Sequence, residues 1–303
     1  MAGDEHRGGR AVAIIPVKFD YASPATLDEA IAILADHANA AVLAGGQSLI
    51  PAMTVRRVAP SMLVDLRRIE GLRGQSTTEG GTLRIGAATT LDEVAASAQI
   101  RSRWTALAEA AEAAGDAQVR NRGTVGGALA DGHPAGDVIA AAIALDAVVH
   151  VTGRQGTRSI PAADFATGPF ATALQPGEIV TSVDVPPQAA RSGSAYVKLR
   201  HPGSGYAICG VAATVTISAD GTTGASRVGI TGAADHPVRL PSVEQAIHGK
   251  SLAAAAMAAA EAVPAAGLTF GSDLAASAEY RAHLARVLTE RAVALAAQRG
   301  GTA

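Results

Sequence analysis

Apolar positions at helical spacing first appear at Leu27, Ala30, Ile31 and Leu34. They follow Thr26-Leu27-Asp28-Glu29, which has the Ser/Thr-x-x-Glu form of a capping box, so a helix is predicted over residues 27–36. Two short continuous apolar runs, residues 40–43 and 62–66, read as strands. Residues 14–70 thus form a strand, helix, strand unit. A second unit opens near Gly71, with residues 82–87 as a strand and Thr90-Leu91-Asp92-Glu93 repeating the capping-box form. The alanine-rich stretch behind it, up to about Gly115, is expected to be mostly helical. The two strand-then-helix units have the layout of distant echoes, although no sequence repeat is visible.

From Asp146 the period changes. Residues 148–151 and 158–160 flank Gly153-Arg154-Gln155-Gly156 and read as a hairpin, and residues 178–185 form a further strand before Pro186-Pro187. Residues 186–193 are the best linker candidate. Beyond it, residues 195–199, 208–217 and 226–231 read as strands of an antiparallel sheet with a turn at Asp220-Gly221. Helices close the chain. The last is expected over residues 277–297, its stripe of Tyr280, Leu284, Val287, Leu288, Ala292 and Leu295 packing on that sheet. The division that follows is 14–70, 71–190 and 191–303.

At 303 residues the chain exceeds the size that one core usually serves, which agrees with several domains. Hydrophobic residues at 48% and charged residues at 17% exclude a disordered chain. No apolar run approaches the roughly 20 residues that span a membrane, so a soluble protein is expected. Residues 1–10 are polar, and the apolar run 11–17 is broken by Pro16 and too short for a secretory core, so the expected location is the cytoplasm. Lys plus Arg is 25 against 27 for Asp plus Glu, a net charge of −2 that gives no electrostatic reason to expect nucleic acid. There is one cysteine, Cys209. It cannot make an intrachain disulfide, a Cys-rich zinc site or an iron–sulfur cluster, which takes about four protein ligands. Any such clusters would lie in another chain.

The candidate chemistry sits in two glycine-rich turns, Ala44-Gly45-Gly46-Gln47-Ser48 and Thr124-Val125-Gly126-Gly127-Ala128. Glycine lets backbone N–H groups approach an anion, and successive N–H groups in a tight turn make a concave donor surface. The pair therefore looks like a two-sided clamp for a diphosphate. The chain has neither a Walker sequence nor a Gly-x-Gly-x-x-Gly, so a bound nucleotide cofactor would be held in neither the P-loop nor the Rossmann manner. The competing reading is two ordinary tight turns. Gln47, Ser48 and Thr124 add neutral side-chain donors. Arg120 and Arg122 either balance a diphosphate's charge or are surface residues. Asp137 could accept hydrogen bonds from sugar or ribityl hydroxyls. His133, before a proline in a loop and with no nucleophile at a telling spacing, is read as structural. No Gly-x-Ser-x-Gly elbow or His-Glu-x-x-His is present, so hydrolase and metalloprotease readings have no support.

Taken in order, Ala44-Gly45-Gly46-Gln47-Ser48-Leu49-Ile50-Pro51, Asn121-Arg122-Gly123-Thr124-Val125-Gly126-Gly127, Pro134 and Asp137 resemble the flavin-binding medium subunit of molybdenum hydroxylases. That family includes the medium subunit of aerobic carbon monoxide dehydrogenase and the flavin domain of xanthine dehydrogenase. The resemblance runs from about residue 14 to 295 and includes Tyr196-Val197-Lys198-Leu199-Arg200 and Asp273-Leu274-Ala275-Ala276-Ser277-Ala278-Glu279-Tyr280-Arg281. It implies an α+β chain: a two-subdomain FAD-binding fold of the vanillyl-alcohol-oxidase/PCMH type, then a C-terminal α+β domain with an antiparallel sheet and helices. It also implies non-covalent FAD between the subdomains, with the diphosphate between the two turns. Ala44, Gly45, Gly46, Gln47, Ser48 and Leu49 would line the cofactor, as would Thr124, Val125, Gly126, Gly127 and Ala128. Asp137 would reach the hydroxyl-bearing chain, Val180 and Lys198 would make further contacts, and Tyr206 would lie beside the isoalloxazine ring. The alternative for Tyr206 is a half-buried tyrosine packing on the C-terminal sheet.

Two departures stand out. Ala128 occupies a position where relatives commonly carry Ser or Asn, and Asp131-Gly132-His133 replaces a more usual His-Ala-Asp-like or Asn-Ala-Ser-like run. Both leave backbone donors in place and bear on affinity and flavin potential. In this family a molybdenum centre oxidises the substrate, two [2Fe–2S] clusters relay single electrons, and FAD passes them to an external acceptor. The resemblance thus implies a small iron–sulfur subunit, a large molybdopterin subunit, a dimer of heterotrimers, no metal in this chain, and no side chain acting as general base. Two alternatives remain. One is a self-contained flavin oxidoreductase of the same fold, akin to the reductase of bacterial cell-wall precursor synthesis or the vanillyl-alcohol-oxidase group, whose histidine-linked flavin Gln47 argues against. The other is a partner subunit that has lost flavin.

Overall fold

The computed structural model describes residues 15–302; the polar segment 1–10 and most of the apolar run 11–17 lie outside them. In the N-terminal part the order is β1 (Asp20–Ala22), α1 (Leu27–Asp36), β2 (Ala40–Leu43), α2 (Leu49–Thr54) and β3 (Met62–Asp65). The capping box closes as its sequence suggests: Glu29 N–H donates to Thr26 Oγ1 and the Glu29 carboxylate accepts from Thr26 N–H. The three strands form a parallel sheet in the order β1-β3-β2, with Leu43 opposite Asp65 at its end. Ala30 and Ile31 of α1 pack on Val64. The chain leaves β2 straight into the first glycine turn.

The second part runs β4 (Gln75–Thr77), β5 (Leu83–Gly86), α3 (Leu91–Ala96), α4 (Ala98–Arg103), α5 (Thr105–Ala113), α6 (Ala117–Arg120), α7 (Val125–Ala130) and α8 (Asp137–Ala144). It continues through β6 (Val148–Gly153), β7 (Gly156–Pro161), β8 (Ala166–Gly168), β9 (Ala171–Thr172) and β10 (Ile179–Val185). Its main sheet is antiparallel, in the order β4-β5-β10-β6-β7. One parallel and one antiparallel sheet are not echoes of a common unit, and the similarity of layout is local only. The alanine-rich stretch is three helices rather than one. Ser97 takes an extended conformation and caps α4, while the buried Trp104 leaves helical geometry and donates its Nε1–H to Pro186 O at 2.8 Å. Anchoring that indole bends the chain where alanine alone would have continued it.

The third part has β11 (Ser192–Arg200), β12 (Ala207–Ile217), β13 (Thr223–Thr231) and β14 (Val238–Arg239), followed by α9 (Pro241–Ile247), α10 (Leu252–Ala262) and α11 (Ala278–Gly301). Its strands pair antiparallel in sequence order, and Gly221 supplies the left-handed residue of the turn at φ +83°. Helix α11 packs across β11 and β12, but on a face rotated from the expected stripe. Leu284, Ala285, Leu288, Ala292 and Ala296 are buried, whereas Tyr280 is 45% exposed. Small residues win that face because the helix approaches the sheet closely: a Cβ on Gly193 would collide with Ala296 O. Arg281 of α11 is buried and donates to Ile208 O and to Asp273 Oδ2, which accounts for the Asp273-to-Arg281 stretch as a structural clasp.

Helix α8 joins the second and third parts. Every one of its residues is buried, because one side faces α5 and the other lies on β12 and β13. A Cβ on Gly229 of β13 would stand 2.5 Å from Ala140 O. Among the described residues no helix is long and apolar enough to cross a membrane.

Candidate cofactor-binding site

A cavity of about 770 Å³ opens where the three parts meet, within the size range of small-molecule and cofactor sites. The first glycine turn forms one wall. Gly46 has φ +74°, a left-handed conformation that only glycine adopts freely. From Gly45 to Leu49 no backbone N–H has a partner among the described residues, and all five residues line the cavity. Successive unpaired amides in a turn are a ready cradle for anionic oxygens.

The second turn behaves differently. Val125 N–H donates to Thr89 O, Gly126 to Ala87 O, Gly127 to Thr124 Oγ1 and Ala128 to Thr124 O, at 2.8–3.1 Å. Those four amides are spent on folding, and of this turn only Thr124 N–H is left without a partner among the described residues, so it offers far fewer amide donors than the first. Its glycines serve contact instead. A Cβ on Gly126 would stand 2.5 Å from the Ala87 Cβ, and one on Gly45 would collide with Arg122 O, so the two turns touch each other backbone to backbone.

Of the residues singled out in the sequence, Ala44, Gly45, Gly46, Gln47, Ser48, Leu49, Thr124, Gly126, Gly127, Ala128, Asp137, Val180 and Tyr206 line the cavity, and Val125 and Lys198 do not. Val125 points into the core. Lys198, on β11, lies behind Asp137: its Nζ donates to Asp137 Oδ2 at 2.9 Å and to Ala113 O at 2.9 Å. Tyr196 OH donates to Asp137 Oδ1 at 2.5 Å. Asp137 begins α8 and is buried; burial pushes its carboxyl upward against the opposing pull of Lys198 and Tyr196. Each carboxylate oxygen can accept a second hydrogen bond, so Asp137 keeps acceptor capacity toward the cavity. Arg120 and Arg122 are not in the wall. Arg120 instead donates to Gly115 O and lies 3.9 Å from Asp92.

Among the lining residues that were not foreseen are Arg57, Phe170 and His133. Arg57 is the one Arg or Lys in the lining among the described residues, and its guanidinium lies 4.8 Å over the Phe170 ring. Phe170 sits between β8 and β9 with φ +54°. His133, read from the sequence as structural, also faces the cavity, stacked on Tyr206 at 4.1 Å with 4° between the rings. Its neighbours Ala135 and Asp137 line the same cavity, so the loop from 131 to 137 contributes more than the one carboxylate singled out from the sequence.

Cys209 is buried on β12, where burial pushes its thiol up to about 12. It is therefore fully protonated at neutral pH, and the thiolate is the reactive form. Native protein should resist alkylation by iodoacetamide at pH 7.5, while unfolded protein should take up one equivalent; rapid labelling of the native state would contradict this burial.

An unpaired amide turn, an acidic acceptor and an aromatic wall meet where the three parts of the chain join, an arrangement suited to an extended ligand with anionic, hydroxyl-bearing and planar portions. The model of the FAD binding domain in molybdopterin dehydrogenase matches residues 17–188, and that of the CO dehydrogenase flavoprotein C-terminal domain matches residues 194–296. The chain belongs to this family of FAD-binding chains of molybdopterin dehydrogenases. It is 36% identical to the carbon monoxide dehydrogenase medium chain of Hydrogenophaga pseudoflava, over 92% of this chain and 97% of that one. It is 34% identical to the 6-hydroxypseudooxynicotine dehydrogenase complex subunit alpha of Paenarthrobacter nicotinovorans, over 94% and 96%. A solved structure of the Hydrogenophaga pseudoflava carbon monoxide dehydrogenase superposes with a TM-score of 0.90 at 37% identity, covering 94% of this chain and 99% of that one.

Proposed function

We propose that this chain is the FAD-binding electron-transfer subunit of a molybdenum-containing hydroxylase. It takes electrons from the [2Fe–2S] clusters of a small partner subunit and passes them to an external acceptor. A large partner subunit holds the molybdopterin and the substrate, in a dimer of heterotrimers. The observation that carries this reading is a chain matched along nearly its whole length by flavoprotein models that contains a single cysteine. Such a chain can hold a flavin and cannot hold an iron–sulfur cluster. Near-equal identity to chains named for carbon monoxide and for 6-hydroxypseudooxynicotine supports substrate choice outside this subunit.

FAD, when bound, exchanges single electrons on one side for electron pairs on the other. The protein's part is to hold and orient it. The amides of Gly45 to Leu49 would receive the diphosphate, and Arg57 in the same lining would supply compensating charge. Thr124 offers a hydroxyl, Asp137 accepts from the hydroxyl-bearing chain, and Val180 and Tyr206 border the ring. Lys198 acts at one remove by pairing with Asp137. The cofactor is bound without a covalent link.

Isolated by a tag on this chain from its own cells, the complex should be yellow, release its flavin on heating or acidification, and bring along an iron–sulfur chain and a molybdopterin chain. The chain alone should show little dehydrogenase turnover. A colourless preparation that gains no flavin on reconstitution would refute the flavin assignment, and full substrate turnover by the isolated chain would refute the subunit assignment.

A further inference from the structure

Four residues from all three parts of the chain form one continuous stack in the cavity wall. The Arg57 guanidinium, from the segment after α2, lies 4.8 Å over the face of Phe170. Phe170 meets His133 edge-on, with centroids 5.0 Å apart and 79° between planes. His133 then lies flat on Tyr206, which the β11–β12 loop carries. At 4.1 Å the last two rings are in contact, so any planar ligand meets them as one unit.

The two halves of this pair are anchored unequally. The His133 loop is pinned from several sides: Phe170 N–H donates to Gly132 O, and Pro134 O accepts from both Gly232 N–H and Thr231 Oγ1. Ala135 N–H donates to His133 Nδ1 at 3.0 Å, which fixes the ring's rotation and leaves its proton on Nε2. Burial, reinforced by Arg57 and opposed by Asp131, keeps the imidazole's proton affinity below its ordinary value, so the ring stacks in its neutral form. Tyr206 is tethered through its backbone alone, with no side-chain hydrogen bond among the described residues. Its backbone closes a short loop with His201 and Ser204, and its side chain is 43% exposed. Phe170 holds φ +54°, a costly conformation for an aromatic residue that persists only where the surroundings enforce it.

We propose that His133 is a positioning residue of this flavin site, setting the plane of Tyr206 and through it the orientation of the isoalloxazine ring. The proposal rests on the flavin occupying this cavity.

The test uses the complex purified by a tag on this chain, stripped of flavin and titrated with FAD. The variants are His133→Ala, His133→Phe, Tyr206→Ala, and His133→Ala combined with Tyr206→Ala. The readouts are FAD affinity, the visible circular dichroism of the bound flavin, and its midpoint potential. His133→Ala should weaken FAD about threefold to tenfold, the range expected for losing one aromatic stack, and should alter the dichroism. His133→Phe, which keeps a stacking face without nitrogen or charge, should restore both. In the Tyr206→Ala background, His133→Ala should change nothing further. Unaltered affinity, dichroism and potential in His133→Ala would overturn the proposal, as would fully multiplicative losses in the double variant or failure of His133→Phe to restore. A wild-type complex that takes up no FAD would overturn the proposal together with the flavin reading beneath it, an outcome seen before any variant is made.

Discussion

Gly45→Ala is expected to weaken flavin binding sharply. The added methyl group would run into the Arg122 carbonyl and the Gly123 Cα, which are backbone atoms and cannot turn aside. The turns must separate, and the amides of Gly45 to Leu49 lose the direction they share. Forcing a methyl into a packed contact costs about 1–3 kcal/mol, so FAD affinity should fall roughly tenfold to hundredfold. Gly46→Ala makes a useful comparison. There the obstacle is the left-handed φ of +74°, while the atoms nearest a Cβ are side-chain carbons of Ile50 and Leu43 at 3.2 Å. Flavin content measured by absorbance, alongside far-ultraviolet dichroism to show an intact fold, decides the matter. Full flavin in folded Gly45→Ala protein would refute the turn-to-turn contact.

Lys198→Met should cause the largest loss of stability. It would strand the Asp137 carboxylate, now paired by Lys198 and Tyr196, beneath the C-terminal sheet. Removing one partner of a buried ion pair costs about 3–5 kcal/mol, and Asp137 would be left with Tyr196 as its one side-chain partner among the described residues. Denaturant unfolding should show a correspondingly lower midpoint. Combining Lys198→Met with Asp137→Asn should recover part of the loss, since no charge is then left unpaired. If the single variant is as stable as the parent, the pairing has no structural weight. Lys198 would then be free to serve the cofactor directly, as its resemblance to family contacts implied.

Much of the scaffold was legible because local signals were strong. Thr26 and Glu29 set the start of α1, the run at 40–43 gave β2, and Gly45-Gly46 marked the turn behind it. Alanine-rich segments were harder, since alanine carries no period that separates a helix interior from a break, and the interruption at Trp104 depends on a distant carbonyl at Pro186. The site was half legible. Sequence can place a glycine in a turn, but whether an amide faces a cavity or a neighbouring carbonyl depends on residues far along the chain. That is why the two turns looked alike and differ in use: the partners of the second, Ala87 and Thr89, follow β5. Arg57 and Phe170 carried no local signal, because their meeting requires the first and second parts to dock.

The wholly buried α8 has a consequence for how the protein is divided. Family models split the chain into blocks at 17–188 and 194–296, yet this helix belongs to the first block and is covered by the strands of the second. Its alanine and isoleucine surface can leave water only when both blocks are present. The two sequence modules therefore share one buried helix, and separating them would expose the side of it that lies on β12 and β13.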